Sequence, residues 1–157
     1  MSSRPPRPSI RSAQPEDVDA VEACVYAAYA PWIPVIGTRP GPMLEDYRAV
    51  LFTRQVFVAE VGDAIVGVLV LAKSTDGFLL ENIAVRPEMA GRGVGRILLS
   101  LAEREAVAQG YRSIILYTHE KMTRNIALYE RAGYVRVDER REGPFSRVYM
   151  RKSLTAA

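Results

Sequence analysis

The chain is poor in the residues that most often announce special chemistry. Its 157 residues include one cysteine, one histidine and one tryptophan. The single cysteine, Cys24, excludes an intramolecular disulfide, supplies no cysteine metal cluster and fits a reducing cytoplasm; no metal is expected. No apolar run approaches the length needed to cross a membrane. The segment MSSRPPRPS is basic and proline-rich with no apolar stretch behind it, so no secretory signal is expected. Charge of one sign is scarce too. A net charge of +3 is too small to argue for nucleic acid, but it suits a polyanionic small ligand. There is no internal repeat and no low-complexity region. With 48% hydrophobic residues, a single domain with a sizeable core is expected over 9–157, after a loose tail at 1–8.

Glycine is where the chain becomes informative. Residues 78–99 read FLLENIAVRPEMAGRGVGRILL. An apolar run ends in Val85-Arg86-Pro87, the turn Gly91-Arg92-Gly93-Val94-Gly95 follows, and a helical pattern starts at Val94. Strand, glycine loop and helix make an anion site from backbone alone. Glycine lets a ligand come close, and the first helical N–H groups point at it. A nucleotide P-loop would end in Gly-Lys-Ser/Thr, but Gly95 is followed by Arg96 and Ile97. A dinucleotide fingerprint would place glycine or alanine three residues after its second glycine, where Arg96 or Leu98 stands. An ordinary turn at a helix start would rarely need three glycines.

Apolar periodicity gives the order of elements. Ile10-Arg11 begins a short strand. Pro15-Glu16-Asp17 opens a helix with proline and acids in its first turn, and Val18, Val21, Val25 and Ala28 form its stripe. Residues 30–42 hold four prolines and two glycines and read as a loop. A second helix is expected over 43–54. Strands follow at 56–61 and 65–71, joined by a turn at Gly62-Asp63, and at 78–85 after Asp76-Gly77. The helix from Val94 runs to about Gln109, with Gly110 as its stop. A strand at 113–118, a helix at 123–132 and strands at 134–139 and 145–152 complete the chain. Three antiparallel strands and then a crossover helix to a parallel strand give an α/β fold, with a mixed, mostly antiparallel sheet flanked by helices.

The glycine loop resembles the pyrophosphate loop of the GNAT N-acetyltransferases. In that family Gln/Arg-x-x-Gly-x-Gly/Ala follows a strand ending in Val-x-Pro. Val85 to Gly95 is similar, with Gly93 and Gly95 as the two glycines. Ala90 departs from the pattern, standing where the family prefers Gln or Arg. The family's loop binds mainly through main-chain N–H groups, so this implies a weakened site rather than a lost one. Asn125-Ile-Ala-Leu-Tyr129-Glu-Arg-Ala-Gly133-Tyr134 resembles a second GNAT motif. On a helix Asn125 and Tyr129 share one face, a turn apart. Taken alone, Tyr129 would read as core and Asn125 as a polar residue near a helix end.

The resemblance spans about residues 9–154. It implies the GNAT acyl-CoA N-acyltransferase fold, acetyl-CoA as donor, and transfer to a primary amine, with no nucleic acid or membrane as partner. Relatives are often dimers, so a homodimer is a further expectation. It also implies that backbone along Ile83, Ala84 and Val85 clamps the pantetheine arm and the oxyanion. Gly91, Arg92, Gly93, Val94, Gly95 and Arg96 would hold the pyrophosphate. Asn125 would contact the arm or its neighbouring backbone, and Tyr129 would lie near the cofactor sulfur.

Direct transfer needs a deprotonated amine, a proton for the departing thiolate and a donor to the oxyanion. No covalent nucleophile is required if amine and thioester meet in a ternary complex. Tyr129 is the candidate acid. Glu81, inside an apolar strand, is the candidate base, since burial can raise a carboxylate pKa toward neutrality. Its alternatives are an ion pair with arginine or a place facing water. His119 is either a second base at the acceptor site or a surface histidine at a strand end. Of Arg86, Arg92, Arg96 and Arg124, one or two are expected to meet phosphate. Tyr29, Trp32, Ile36, Met43 and Tyr47, with Tyr149 on the last strand, either line a pocket for a small amine or close the core over the first helices. The runner-up functions are a peptide or protein N-acetyltransferase and a non-catalytic acyl-CoA-binding module.

Overall fold

The computed structural model describes residues 7–154. Of the tail expected at 1–8, residues 1–6 lie outside that range. The strands are β1 (Ser9–Ser12), β2 (Gln55–Val61), β3 (Ala64–Ser74), β4 (Gly77–Val85), β5 (Ser113–His119), β6 (Val135–Glu142) and β7 (Phe145–Ser153). The helices are α1 (Val18–Tyr29), the single turn α2 (Ile33–Ile36), α3 (Tyr47–Thr53), α4 (Val94–Ala108) and α5 (Thr123–Arg131). The strands form one sheet in the order β1-β2-β3-β4-β5-β7-β6. Neighbours run antiparallel except β4 and β5, which are parallel and joined through α4. The expected mixed α/β sheet is therefore present, and no described helix is long and apolar enough to cross a membrane.

Several expected boundaries move; β3 runs on to Ser74 and β6 to Glu142. The helix anticipated from Met43 starts at Tyr47, because the Asp46 side chain caps it by accepting from the Arg48 N–H at 3.1 Å. Residues 41–44 form a separate 3-10 turn. The proline-rich loop after α1 is not wholly irregular. Ala30–Trp32 and Ile33–Ile36 continue in helical turns, with their prolines at early positions where no N–H is needed.

Each face of the sheet buries its own core. One packs Leu69, Leu71, Phe78 and Leu80 against Val94, Leu98, Leu99 and Ala102 of α4 and Ile126 and Tyr129 of α5. The other packs Val58, Val68, Val70 and Ala84 against Val21, Cys24 and Val25 of α1 and Tyr47 and Val50 of α3. β3 is buried on both faces, which explains its unbroken apolar run. A bulge in β4 changes which face its residues serve. Val70 pairs with Asn82 and Leu71 with Leu80, so Glu81 is an extra residue. Phe78 and Leu80 consequently enter the α4 core, while Ala84 enters the α1 core.

α4 lies unusually close to the sheet at Gly67. A Cβ there would come within 2.9 Å of Val94 Cγ1, 3.0 Å of Leu98 Cδ1 and 3.2 Å of Ala59 Cβ. The absent side chain thus fixes the height of the helix whose first turn forms the glycine loop. Gly67→Val should overpack this contact and cost roughly 1–3 kcal/mol. A denaturant midpoint equal to that of the parent would show that α4 does not depend on the contact.

Candidate active site

β4 and β5 pair in register only from Phe78↔Ile114 to Leu80↔Leu116. Both strands continue, β4 to Val85 and β5 to His119, so they part after Leu80. The Glu81 bulge begins the parting. Asn82 is then drawn toward the α1 side, where Tyr29 Oη donates to its Oδ1 at 2.7 Å and its Nδ2 donates to Tyr47 Oη at 3.2 Å. Tyr47 Oη donates in turn to the Pro42 carbonyl, which ties the 41–44 turn to the site. This chain satisfies a side chain that is only 6% exposed. Ile83, Ala84 and Val85 lie on the stretch of β4 that has lost its β5 partner. Sheet backbone without a strand partner calls for another acceptor or donor, and an amide-bearing chain laid along it can serve. On this stretch the Ile83 carbonyl accepts from Tyr29 Oη at 3.3 Å.

The glycine loop follows directly. Gly91 and Gly93 have φ of 78° and 83°, a region that side chains rarely tolerate. Gly93 precedes α4, and the first helical bond runs from Ile97 N–H to the Gly93 carbonyl at 3.0 Å. The N–H groups of Val94, Gly95 and Arg96 therefore precede any intrahelical acceptor. A Cβ on Gly95 would meet Val85 Cγ2 at 3.7 Å, ordinary contact. The fold itself does not require glycine there, and its absence of a side chain leaves the helix start open to a ligand. These residues fit a diphosphate. Arg92, Arg96 and Arg124 are exposed nearby in the chain, at the starts of α4 and α5. Arg86 is differently engaged, its Nε donating to the Ile65 carbonyl at 3.0 Å.

Between the parted strands lies a cleft with about 540 Å³ of empty space, part of it open solvent. Leu80 to Ile83 line one wall, and Tyr117, Thr118 and His119 of β5 line the other. Asn125 and Tyr129 look into it from the same face of α5, as their spacing implies. Tyr129 is 6% exposed and meets the Tyr134 ring edge-on, with centroids 5.9 Å apart. Burial pushes its phenol well above the ordinary value, so the hydroxyl keeps its proton through neutral pH.

The acceptor end divides the candidates. Tyr29 lines the cleft and Tyr47 an adjoining pocket, both held by Asn82. Trp32, Ile36 and Met43 pack against the α1 core instead, with the fully buried Cys24. Glu81 is not enclosed by apolar neighbours. Its side chain is 20% exposed and its Oε2 pairs with Arg54 Nε at 3.2 Å, the ion-pair alternative, while it still lines the cleft. His119 also lines the cleft. Its Nδ1 accepts from the Lys121 N–H at 3.1 Å, which puts the proton of the neutral ring on Nε2. Partial burial lowers its pKa further, keeping the ring neutral. Tyr149 is turned aside, its Oη donating to Glu142 Oε1 at 2.7 Å.

Three residues of the site escaped the sequence reading. Asn82 had a signal, being a lone amide in an apolar strand. Tyr117 and Arg147 had none, since an alternating strand with mixed polarity does not say which face meets a cleft. Arg147 lies over the Tyr117 ring at 4.6 Å and the Phe145 ring at 5.3 Å, and it pairs with Glu142.

Comparison with known proteins agrees with this arrangement. PaiA N-acetyltransferase from Thermoplasma acidophilum, in complex with coenzyme A, aligns with a TM-score of 0.79 at 18% identity, over 98% of this chain and 99% of that one. The ribosomal-protein-S18-alanine N-acetyltransferase from Escherichia coli gives 0.75 at 20% identity, with 96% of each chain covered. Nourseothricin acetyltransferase gives 0.72 at 21% identity, over 95% of this chain and 99% of that one. At these identities the likeness speaks for the fold. Family membership rests on sequence: a family model described as the acetyltransferase (GNAT) family matches residues 23–134. With that match over most of its length, the chain belongs to the GNAT acetyltransferase family.

Proposed function

We propose that this enzyme moves the acetyl group of acetyl-CoA to the primary amine of a small molecule, directly, in a ternary complex. The observation that carries the reading is the parting of β4 from β5. It opens one space lined by Ile83 of the freed edge and by Asn125 and the protonated Tyr129, and the freed edge leads through the glycine loop to the start of α4. The donor supplies an activated thioester. N–H groups of Val94, Gly95 and Arg96 bind its diphosphate, aided by Arg92 or Arg96, and the Ile83–Val85 edge with Asn125 orients its arm. Tyr129 holds a proton at Oη for the departing sulfur. Glu81 takes the proton of the incoming ammonium, directly or through water. His119 is the poorer base because its Nδ1 lone pair is already spent on Lys121. The wholly buried Cys24, its thiol pushed up to about 11 by desolvation, takes no part in the chemistry, and the lack of any disulfide suits a reducing cytoplasm.

The names of the structural relatives leave the acceptor open, since one acts on a ribosomal protein and another on nourseothricin. The roof of the cleft favours a small one. Arg147 reaches across to the 41–44 turn, where a Cβ on Gly41 would lie 3.1 Å from its Nη2. A peptide would need that end open.

An acetyl-CoA turnover screen against amines, amino acids and N-terminal peptides tests the proposal. Small amines are expected to be acetylated well ahead of peptides; the reverse order would make this a peptide acetyltransferase. Tyr129→Phe should lower kcat about 100-fold while the thermal shift on adding CoA persists. Turnover absent from both forms, with CoA still bound, would mark a non-catalytic binding module. The pH dependence follows from the raised phenol. An acid works only below its pKa, so kcat should show no alkaline fall below about pH 10, the ordinary tyrosine value. A descending limb near pH 8 would give the acid role to another group. Glu81→Gln should lower kcat/KM about 10- to 100-fold, measured in the same assay.

A further inference from the structure

Glu81 and Arg147 are the two fully charged side chains among the described residues lining the cleft. They stand on different strands, β4 and β7, with Tyr117 of β5 between them. Both also line the pocket that continues the cleft beneath the 41–44 turn. The cleft therefore presents one carboxylate and one guanidinium to whatever fills its acceptor end, and the adjoining pocket adds Glu45.

The guanidinium is held in place. Tyr117 and Phe145 support it from the rings, and β7 pairing sets its root opposite His119. Glu142 engages Nη1. Nη2 is directed toward Gly41 at the roof of the cleft. No fully buried nitrogen or oxygen of a described side chain lacks a partner, so the donors that Arg147 leaves unused keep some exposure. A guanidinium held flat, with donors to spare, matches the planar oxygens of a carboxylate.

We infer that Arg147 is a specificity residue binding a carboxylate on the acceptor, so that the substrate is a small amine that also carries an acid group. The inference rests on the acetyl-transfer reading above. The ammonium end lies toward Glu81 and the parted strands, and the acid end lies under the turn at Pro40–Pro42. Strands two places apart in a zipped sheet are roughly 10 Å apart; β4 has begun to part from β5 at Glu81, which widens that span, and the long side chains of Glu81 and Arg147 narrow it. Amino acids whose two groups are separated by several bonds therefore fit, as do α-amino acids. A neutral amine would leave only the donors that Glu142 does not take without an acceptor, which selects against it.

The test compares amino acids of increasing chain length with their amides and with the amines lacking the carboxyl group. Steady-state kcat/KM is measured at saturating acetyl-CoA. The carboxylated acceptor should be preferred about 10- to 100-fold over its amide, the value of one charged hydrogen bond. The preference should appear mainly in KM. In Arg147→Met the ratio should fall toward one, and Arg147→Lys should restore part of it. A residue that only supported the fold would change both substrates alike and leave the ratio unaltered. Amides acetylated as well as their acids by the parent enzyme, or a ratio unchanged in Arg147→Met, overturns the assignment and leaves acetyl transfer standing. No turnover of any amine overturns acetyl transfer and, with it, this inference.

Discussion

β4 and β5 share three residue pairs and then separate, and the site exists because of that separation. A parallel pair that stayed zipped would satisfy its own backbone and leave no room between the sheet's middle strands. Two local features prevent this. The extra residue at Glu81 reverses which face the following side chains meet. The buried amide of Asn82 is then committed to Tyr29 and Tyr47 on the α1 side. A polar network in a dry core is costly unless every member is partnered. This one is closed at both ends by backbone carbonyls, those of Ile83 and Pro42. The energy that orders the first helices thus also holds the strand away from its neighbour.

The two cores serve opposite ends of the cleft. On one face, α4 seats against Gly67, and its start carries the glycine loop proposed to hold diphosphate. α5 packs on the same face and turns Tyr129 inward. On the other face, α1, α3 and the 41–44 turn close over the acceptor end. Donor groups therefore depend on long, regular helices, while acceptor groups depend on short turns and on Arg147 from β7. Such turns can change sequence without disturbing the sheet, which suits the part of a family fold that differs from member to member.

Much of the donor half was legible in the sequence because its signals are local. Gly91, Gly93 and the start at Val94 lie within a few residues of each other, and Asn125 and Tyr129 are one helical turn apart. The acceptor half was legible only as composition. Tyr29 and Tyr47 do reach the site, but Trp32, Ile36 and Met43 face the core, and aromatic content alone cannot separate these outcomes. Glu81 was visible as a carboxylate in an apolar strand, yet its partner Arg54 is 27 residues away, and only the fold brings them together.

The sequence by itself determined the alternation of strands and helices, the glycine turn ahead of α4 and the face shared by Asn125 and Tyr129, since each follows from the period of a helix, the period of a strand or the freedom of glycine. Only the tertiary structure decided where β7 inserts between β5 and β6, where β4 leaves β5, and that Arg147 and Glu81 share one cleft. These depend on bulges, strand order and contacts between residues far apart in the chain, whose energies are set by packing rather than by any neighbouring residue.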